Sequence, residues 1–228
     1  MRDESADSVL TFYRRLWEQK ASVPPQAQTR SHGATRTDVA RGLLCSGERL
    51  LDVGCWGGDA LERMNARPLF HALHGVDLLD SSVGAARARG IEAHVVDLNH
   101  QSLPYADDFF DAVTCLAVIA QVFDPAGTVI EMRRVLRPGG QLILSVPNVA
   151  SLPNRARLLL GRRPRTSWDP GWDGGQLHYF NLVDTRGLLE RCGFKVLSVH
   201  PVGRWAGLRR VWPTLLSRDL VFDARRLA

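Results

Sequence analysis

The run Leu50-Leu51-Asp52-Val53-Gly54-Cys55-Trp56-Gly57-Gly58-Asp59 constrains this chain more than any other stretch. Continuous apolar residues read as a strand buried on both faces, and such strands belong to parallel sheets covered by helices. The glycines that follow break the strand into a tight turn where backbone can approach a small molecule closely. Residues 59–65 then read as a helix, so the unit is strand, glycine turn, helix. Many glycine turns merely redirect the chain, so the meaning of this one depends on what surrounds it.

The surroundings repeat the pattern. Arg36–Leu44 reads as a short helix leading into a first strand at Arg49–Val53. Strands are expected at Ala72–Asp77, Ala93–Val96, Phe110–Leu116 and the fully apolar Gln141–Val146, the last entered through a turn at Pro138-Gly139-Gly140. Helices are expected at Ser81–Ala88, Pro125–Val135 and Leu182–Arg191, with further strands at Phe194–His200 and Arg218–Ala224. The fold class is therefore α/β: a Rossmann-like, mostly parallel sheet of seven strands with helices on both faces and an antiparallel last strand. Residues 1–46 read as a helical lid built on Asp7–Gln19, and 47–228 as one domain. An irregular insertion over 147–181, helical at Leu152–Leu160, lies on its substrate side.

Composition excludes several classes. With 228 residues, 45% hydrophobic and 23% charged, the chain suits one ordinary globular domain. No apolar run is long enough to span a bilayer and the acidic, polar start is unlike a signal peptide, so a cytoplasmic protein with no membrane partner is expected. Cys45, Cys55, Cys115 and Cys192 lack paired short spacings, which argues against a zinc site or a disulfide framework. The net charge of +5 is carried mainly by arginine, with Arg155, Arg157, Arg162, Arg163 and Arg165 concentrated together. This cluster reads as a solvated helix end before it reads as a nucleic-acid surface.

Three carboxylates fall where ligands bind in doubly wound sheets, beyond the carboxyl ends of strands. Asp52 ends the first strand, Asp77 the second, and Asp97 follows the third. Asp77 stands where a carboxylate accepts hydrogen bonds from a ribose diol. A phosphate ligand fits less well: the turn lacks Lys-Ser or Lys-Thr, Asp59 would repel a pyrophosphate, and Trp56 crowds the turn. NAD and FAD are disfavoured on the same grounds.

The blocks LDVGCWGG, GVD, VVDLNHQSLPYADDFFDAV, EMRRVLRPGGQLILSVPN and LLERCGFKV, in that order, resemble the class I, Rossmann-like S-adenosylmethionine-dependent methyltransferases over about residues 47–224. The resemblance implies S-adenosylmethionine as cofactor. Asp52, Gly54 and Gly58 would form the turn beneath its methionine part, Asp77 with Leu78 would hold the ribose, and Asp97 with Leu98 would lie at the adenine. Trp56 replaces the usual middle glycine. After the fourth strand, Ala117, Ala120 and Gln121 stand where many members carry acids and a histidine, so no general base is assigned there.

Within the superfamily, the segment VFDPAGTVIEMRRVLRPGGQLILSVPNVASLPNRARLLLGRRP and the DGGQLHYFN block resemble the MetW type and its relatives in glycan and natural-product pathways. The implied activity is methyl transfer to oxygen or nitrogen of a small molecule in glycan or specialised-metabolite biosynthesis. The alternative is a partner role beside a homoserine acyltransferase; a homodimer is also left open. On the substrate side, His178 and Tyr179 are the first candidates as catalytic residues, followed by Asp169, Asp173 and Asn148. Trp168 and Trp172, with Tyr13, Trp17 and His32, are candidate walls. No metal is expected; Asp169, Asp173 and His178 around a divalent ion is the weaker alternative.

Overall fold

The computed structural model describes residues 15, 18, 34–166, 176–202 and 211–228. In chain order, the elements are α1 (Arg36–Leu43), β1 (Gly47–Val53), α2 (Asp59–Met64), β2 (Phe70–Asp77), α3 (Asp80–Arg87), β3 (Glu92–Val95) and β4 (Phe110–Leu116). They continue with α4 (Pro125–Val135), β5 (Leu136–Pro147), α5 (Leu152–Leu159), α6 (Leu182–Arg191), β6 (Phe194–Pro201), α7 (Pro213–Leu216) and β7 (Asp219–Arg226). Of the helix expected over Asp7–Gln19, only Arg15 and Glu18 are described, both helical and exposed. Tyr13, Trp17, His32, Trp168, Asp169, Trp172 and Asp173 lie outside the described residues.

The strands form one sheet in the order β3-β2-β1-β4-β5-β7-β6. Neighbours pair in parallel from β3 to β5, and β7 runs antiparallel to both β5 and β6. The order reverses between β1 and β4, which opens a crevice at the carboxyl ends of the strands.

Burial follows the alternation of side chains along each strand. Leu51, Val53, Val113, Leu142 and Leu144 enter the core on one face, while Leu50, Ala112, Ile143 and Val221 enter the core on the other. Each fully buried side chain of this size contributes about 1.5–3 kcal/mol. Both faces are therefore apolar, and the strands read as unbroken apolar runs.

Helix boundaries follow local chemistry. Asp124 caps α4, its Oδ1 accepting from Gly127 N at 2.9 Å, and Pro125 opens the first turn. Asn181 caps α6 by accepting from Asp184 N at 3.0 Å, and Thr35 with Asp38 makes a reciprocal capping box on α1.

The Pro138–Gly140 segment is not a separate turn. Leu136 already pairs with Phe110, and the register slips between Phe110 and Ala112, so β5 begins as a bulged strand. A side chain at residue 140 would meet Leu136 Cγ at 2.7 Å, which is why glycine stands there.

Candidate functional site

The turn after β1 is built by backbone geometry. Gly54 and Gly58 take φ values of 78° and 84°, and Trp56, between them, takes 50°. Gly54 N and Cys55 N both donate to Val76 O, at 2.8 and 3.0 Å, binding the turn to the end of β2. Space reinforces conformation: a Cβ on Gly54 would lie 2.2 Å from Val118 Cγ2, and one on Gly58 would lie 2.5 Å from Ile91 Cδ1. Trp56 thus holds a left-handed conformation that costs a non-glycine residue about 1–2 kcal/mol.

Asp77 closes over this turn. Its Oδ2 accepts from Trp56 N at 2.8 Å and its Oδ1 from Leu79 N at 3.1 Å. Burial still pushes its carboxyl above the usual range, with the N–H bonds of Leu79, Trp56 and Leu78 opposing. Leu78 itself is half-buried beside it.

Asp52 is buried beneath the turn, where Thr114 Oγ1 donates to its Oδ1 at 2.6 Å. Burial drives its pKa up to about 7; Thr114 opposes the shift and the negative charge of Asp77 adds to it. Among the described residues neither carboxylate has an ion-pair partner.

Asp97 follows β3 and is also buried. Its Oδ1 accepts from Asn99 N at 3.0 Å and its Oδ2 lies 3.0 Å from His100 Nδ1. Val96 N donates to Asp77 O at 2.8 Å, so Asp77 and Asp97 lie along one sheet edge, with half-buried Leu98 following.

The structure thus brings Asp52, Gly54, Gly58, Asp77, Leu78, Asp97 and Leu98 to the carboxyl ends of β1, β2 and β3. His178 and Tyr179 are placed differently. Leu177 N and His178 N both donate to Ala120 O, at 2.7 and 3.1 Å, hanging this segment on the loop after β4. That loop also carries Val118, which fills the space beside Gly54. His178 Nε2 is buried with no hydrogen-bond partner. His178, exposed Tyr179 and Phe180 also border a cleft of about 310 Å³ between the first turn of α4 and Asp184, Leu188 and Arg191 of α6.

Three residues take roles that the sequence reading missed or misjudged. Thr114, a hydroxyl inside the apolar strand β4, orients Asp52, and its position in an otherwise apolar run was the available signal. Arg89 pairs with both Asp59 and Glu62, at 2.7 and 2.5 Å, so the Asp59 charge is compensated instead of projecting freely at a ligand. Asn148, considered for the substrate side, is a buried tether. Its Nδ2 donates to Thr214 O and Ser217 O at 2.8 and 2.7 Å, and its Oδ1 accepts from Ala150 N at 3.0 Å.

Among the described residues, no three His, Cys, Asp or Glu side chains come together as a metal site. No helix among them is long and apolar enough to cross a membrane.

A methyltransferase domain family matches residues 51–144, from β1 into β5. A ubiquinone biosynthesis O-methyltransferase of Aromatoleum aromaticum is 34% identical over 142 residues, covering 59% of this chain and 58% of that protein. A solved possible histamine N-methyltransferase from Thermotoga maritima superposes with a TM-score of 0.62 at 18% identity, over 84% of this chain and 87% of the other. The chain has the class I S-adenosylmethionine-dependent methyltransferase fold.

This fold implies S-adenosylmethionine as cofactor, and the residues present fit it. The cofactor carries an ammonium and a sulfonium, and the turn offers the buried Asp52 and the half-buried Asp77, two carboxyl groups without a cationic partner among the described residues. The glycines fix the path of the turn, through left-handed φ values and close approaches to Val118 and Ile91 that a side chain would block. A methyltransferase fold does not fix the reaction by itself, since the [4+2]-cyclase SpnF shares it at a TM-score of 0.62 and 20% identity, over 88% of each chain. The chain spans 58% and 60% of the length of two curated relatives it matches.

Proposed function

We propose that this chain transfers the methyl group of S-adenosylmethionine to an oxygen of a small molecule, in glycan or specialised-metabolite biosynthesis. The observation that carries the reading is Asp77, whose carboxylate is tied to the glycine turn by Trp56 N and to the start of the following helix by Leu79 N, beside the buried Asp52. Oxygen is preferred to nitrogen because the curated relatives are named as O-methyltransferases.

When bound, the cofactor supplies a methyl group already activated on sulfur, with a neutral thioether as the leaving group. The chain's own work is alignment and exclusion of water. Asp77 and Leu78 would hold the ribose, Asp97 and Leu98 the adenine, and Asp52, Gly54 and Gly58 the methionine end. His178 is the proposed proton acceptor: its unpartnered Nε2 takes the proton of the acceptor hydroxyl as the oxygen–carbon bond forms. Tyr179 would flank the acceptor.

Calorimetric titration with S-adenosylmethionine and S-adenosylhomocysteine tests this, with Asp77→Ala alongside the wild type. Binding lost in the variant, followed by acceptor-dependent release of S-adenosylhomocysteine, supports the proposal. A well-folded wild type that binds neither compound sinks it and turns the search towards a protein partner such as an acyltransferase.

A further inference from the structure

The α5 region exposes an unusual combination of groups. Leu158, Leu159 and Leu160 are exposed, Leu159 at 88% and Leu160 at 71%. Gly161, at φ 65°, then ends the helix, with Gly161 N donating to Leu158 O and Arg162 N to Arg157 O, at 3.0 and 2.8 Å. This reversal brings Arg162 and Arg163 back beside Arg157, whose Nε donates to Arg163 O at 2.8 Å. The leucines therefore form an apex with guanidinium groups at its base.

The base is rich in positive charge. Residues 152–166 contain five arginines and no acidic residue. None of those arginines has an acidic partner among the described residues. Asn148 ties this helix to a second exposed apolar pair, because it accepts from Asn154 Nδ2 through its carbonyl and holds α7 through Thr214 O and Ser217 O. Trp212 and Val211, just ahead of α7, are 60% and 81% exposed.

We infer that α5 and its following turn dock the protein on an anionic membrane surface, with Leu158–Leu160 entering the headgroup boundary and the arginines meeting lipid phosphates. Charge complementarity selects an anionic occupant, and the leucine apex selects one with an apolar interior. A nucleic acid would satisfy the arginines and leave the leucines in water. The sequence expectation of no membrane partner weighed a crossing segment and a signal peptide, whereas a surface-bound helix needs neither. The inference stands apart from the methyl-transfer reading.

The test is sedimentation of the full chain with phosphatidylcholine vesicles, with and without phosphatidylglycerol. The protein should pellet only with the anionic vesicles, and added salt should release it. Leu159→Ser with Leu160→Ser should weaken partition roughly tenfold, and Arg162→Gln with Arg163→Gln roughly thirtyfold. Circular dichroism should stay unchanged, because these side chains are exposed. Three results would overturn the inference: no pelleting of the wild type, equal partition of wild type and both variants, or salt-sensitive binding to duplex DNA unaffected by the leucine substitutions together with no vesicle binding.

Discussion

Asp52→Asn should make this protein more stable at alkaline pH than at acid pH relative to wild type. The folded pKa of about 7 lies above the unfolded value of 3.8, so the folded chain holds an extra proton between them. The stabilisation from that proton is complete below pH 3.8 and is lost as pH rises through about 7. At 1.36 kcal/mol per pKa unit, ionisation in the unfolded chain disfavours folding by about 1.7 kcal/mol at pH 5 and about 4 kcal/mol at pH 8. Asparagine keeps the size of the side chain and can accept the Thr114 bond, but does not titrate. The cost of its buried NH2 is the same at both pH values, so the difference between them isolates the charge. Relative to wild type, the variant should gain about 2.5 kcal/mol between pH 5 and pH 8, or about 5–10 °C in Tm for a domain of this size. Thermal melts of both proteins at the two pH values measure it. A Tm gap that is constant with pH, or that moves the other way, would refute the claim that Asp52 is buried without a compensating cation.

The same buried acid makes cofactor binding pH-dependent: a bound cation lowers the Asp52 pKa, so binding releases a proton and should weaken as pH falls below about 7, by up to tenfold per unit. Calorimetry at pH 6 and pH 8, in buffers of different ionisation enthalpy, reads both the affinity and the proton. Gly54→Ala combines a left-handed φ with a 2.2 Å approach to Val118 and should cost about 2–4 kcal/mol in urea unfolding, with Val118→Ala restoring part of it. Asn148→Ala strands the carbonyls of Thr214 and Ser217 and should destabilise by about 2–4 kcal/mol, measured by urea melts; a change below about 0.5 kcal/mol would remove it as a tether. His178→Ala should lower turnover by about 10²–10⁴-fold while cofactor affinity stays within about twofold, and an unaltered rate would dismiss it as proton acceptor.

Much of the fold was legible because its signals are local. The bounds of β4, α4 and α6 agree with the sequence reading, since Asp124 and Asn181 cap their helices through bonds spanning three residues. The glycine turn was legible for the same reason. Gly54 and Gly58 announce a conformation that other residues resist, and the structure shows Trp56 adopting it against preference. The start of β5 was misread because the Leu136–Phe110 pair joins residues distant in sequence, and no local rule distinguishes a bulged strand from a turn at Pro-Gly-Gly.

By itself the sequence determined the alternation of apolar strands and amphipathic helices, and hence a sheet buried on both faces with three acids at strand ends. Tertiary structure decided what each polar group meets. Thr114 reaches Asp52 across 62 positions, Arg89 neutralises Asp59 across 30, and Asn148 ties α7 to β5 across 66. It also decided that β7 lies between β5 and β6. Hydrophobic burial is non-directional and leaves a periodic trace along the chain, whereas a hydrogen bond or ion pair depends on distance and angle between groups that only folding brings together.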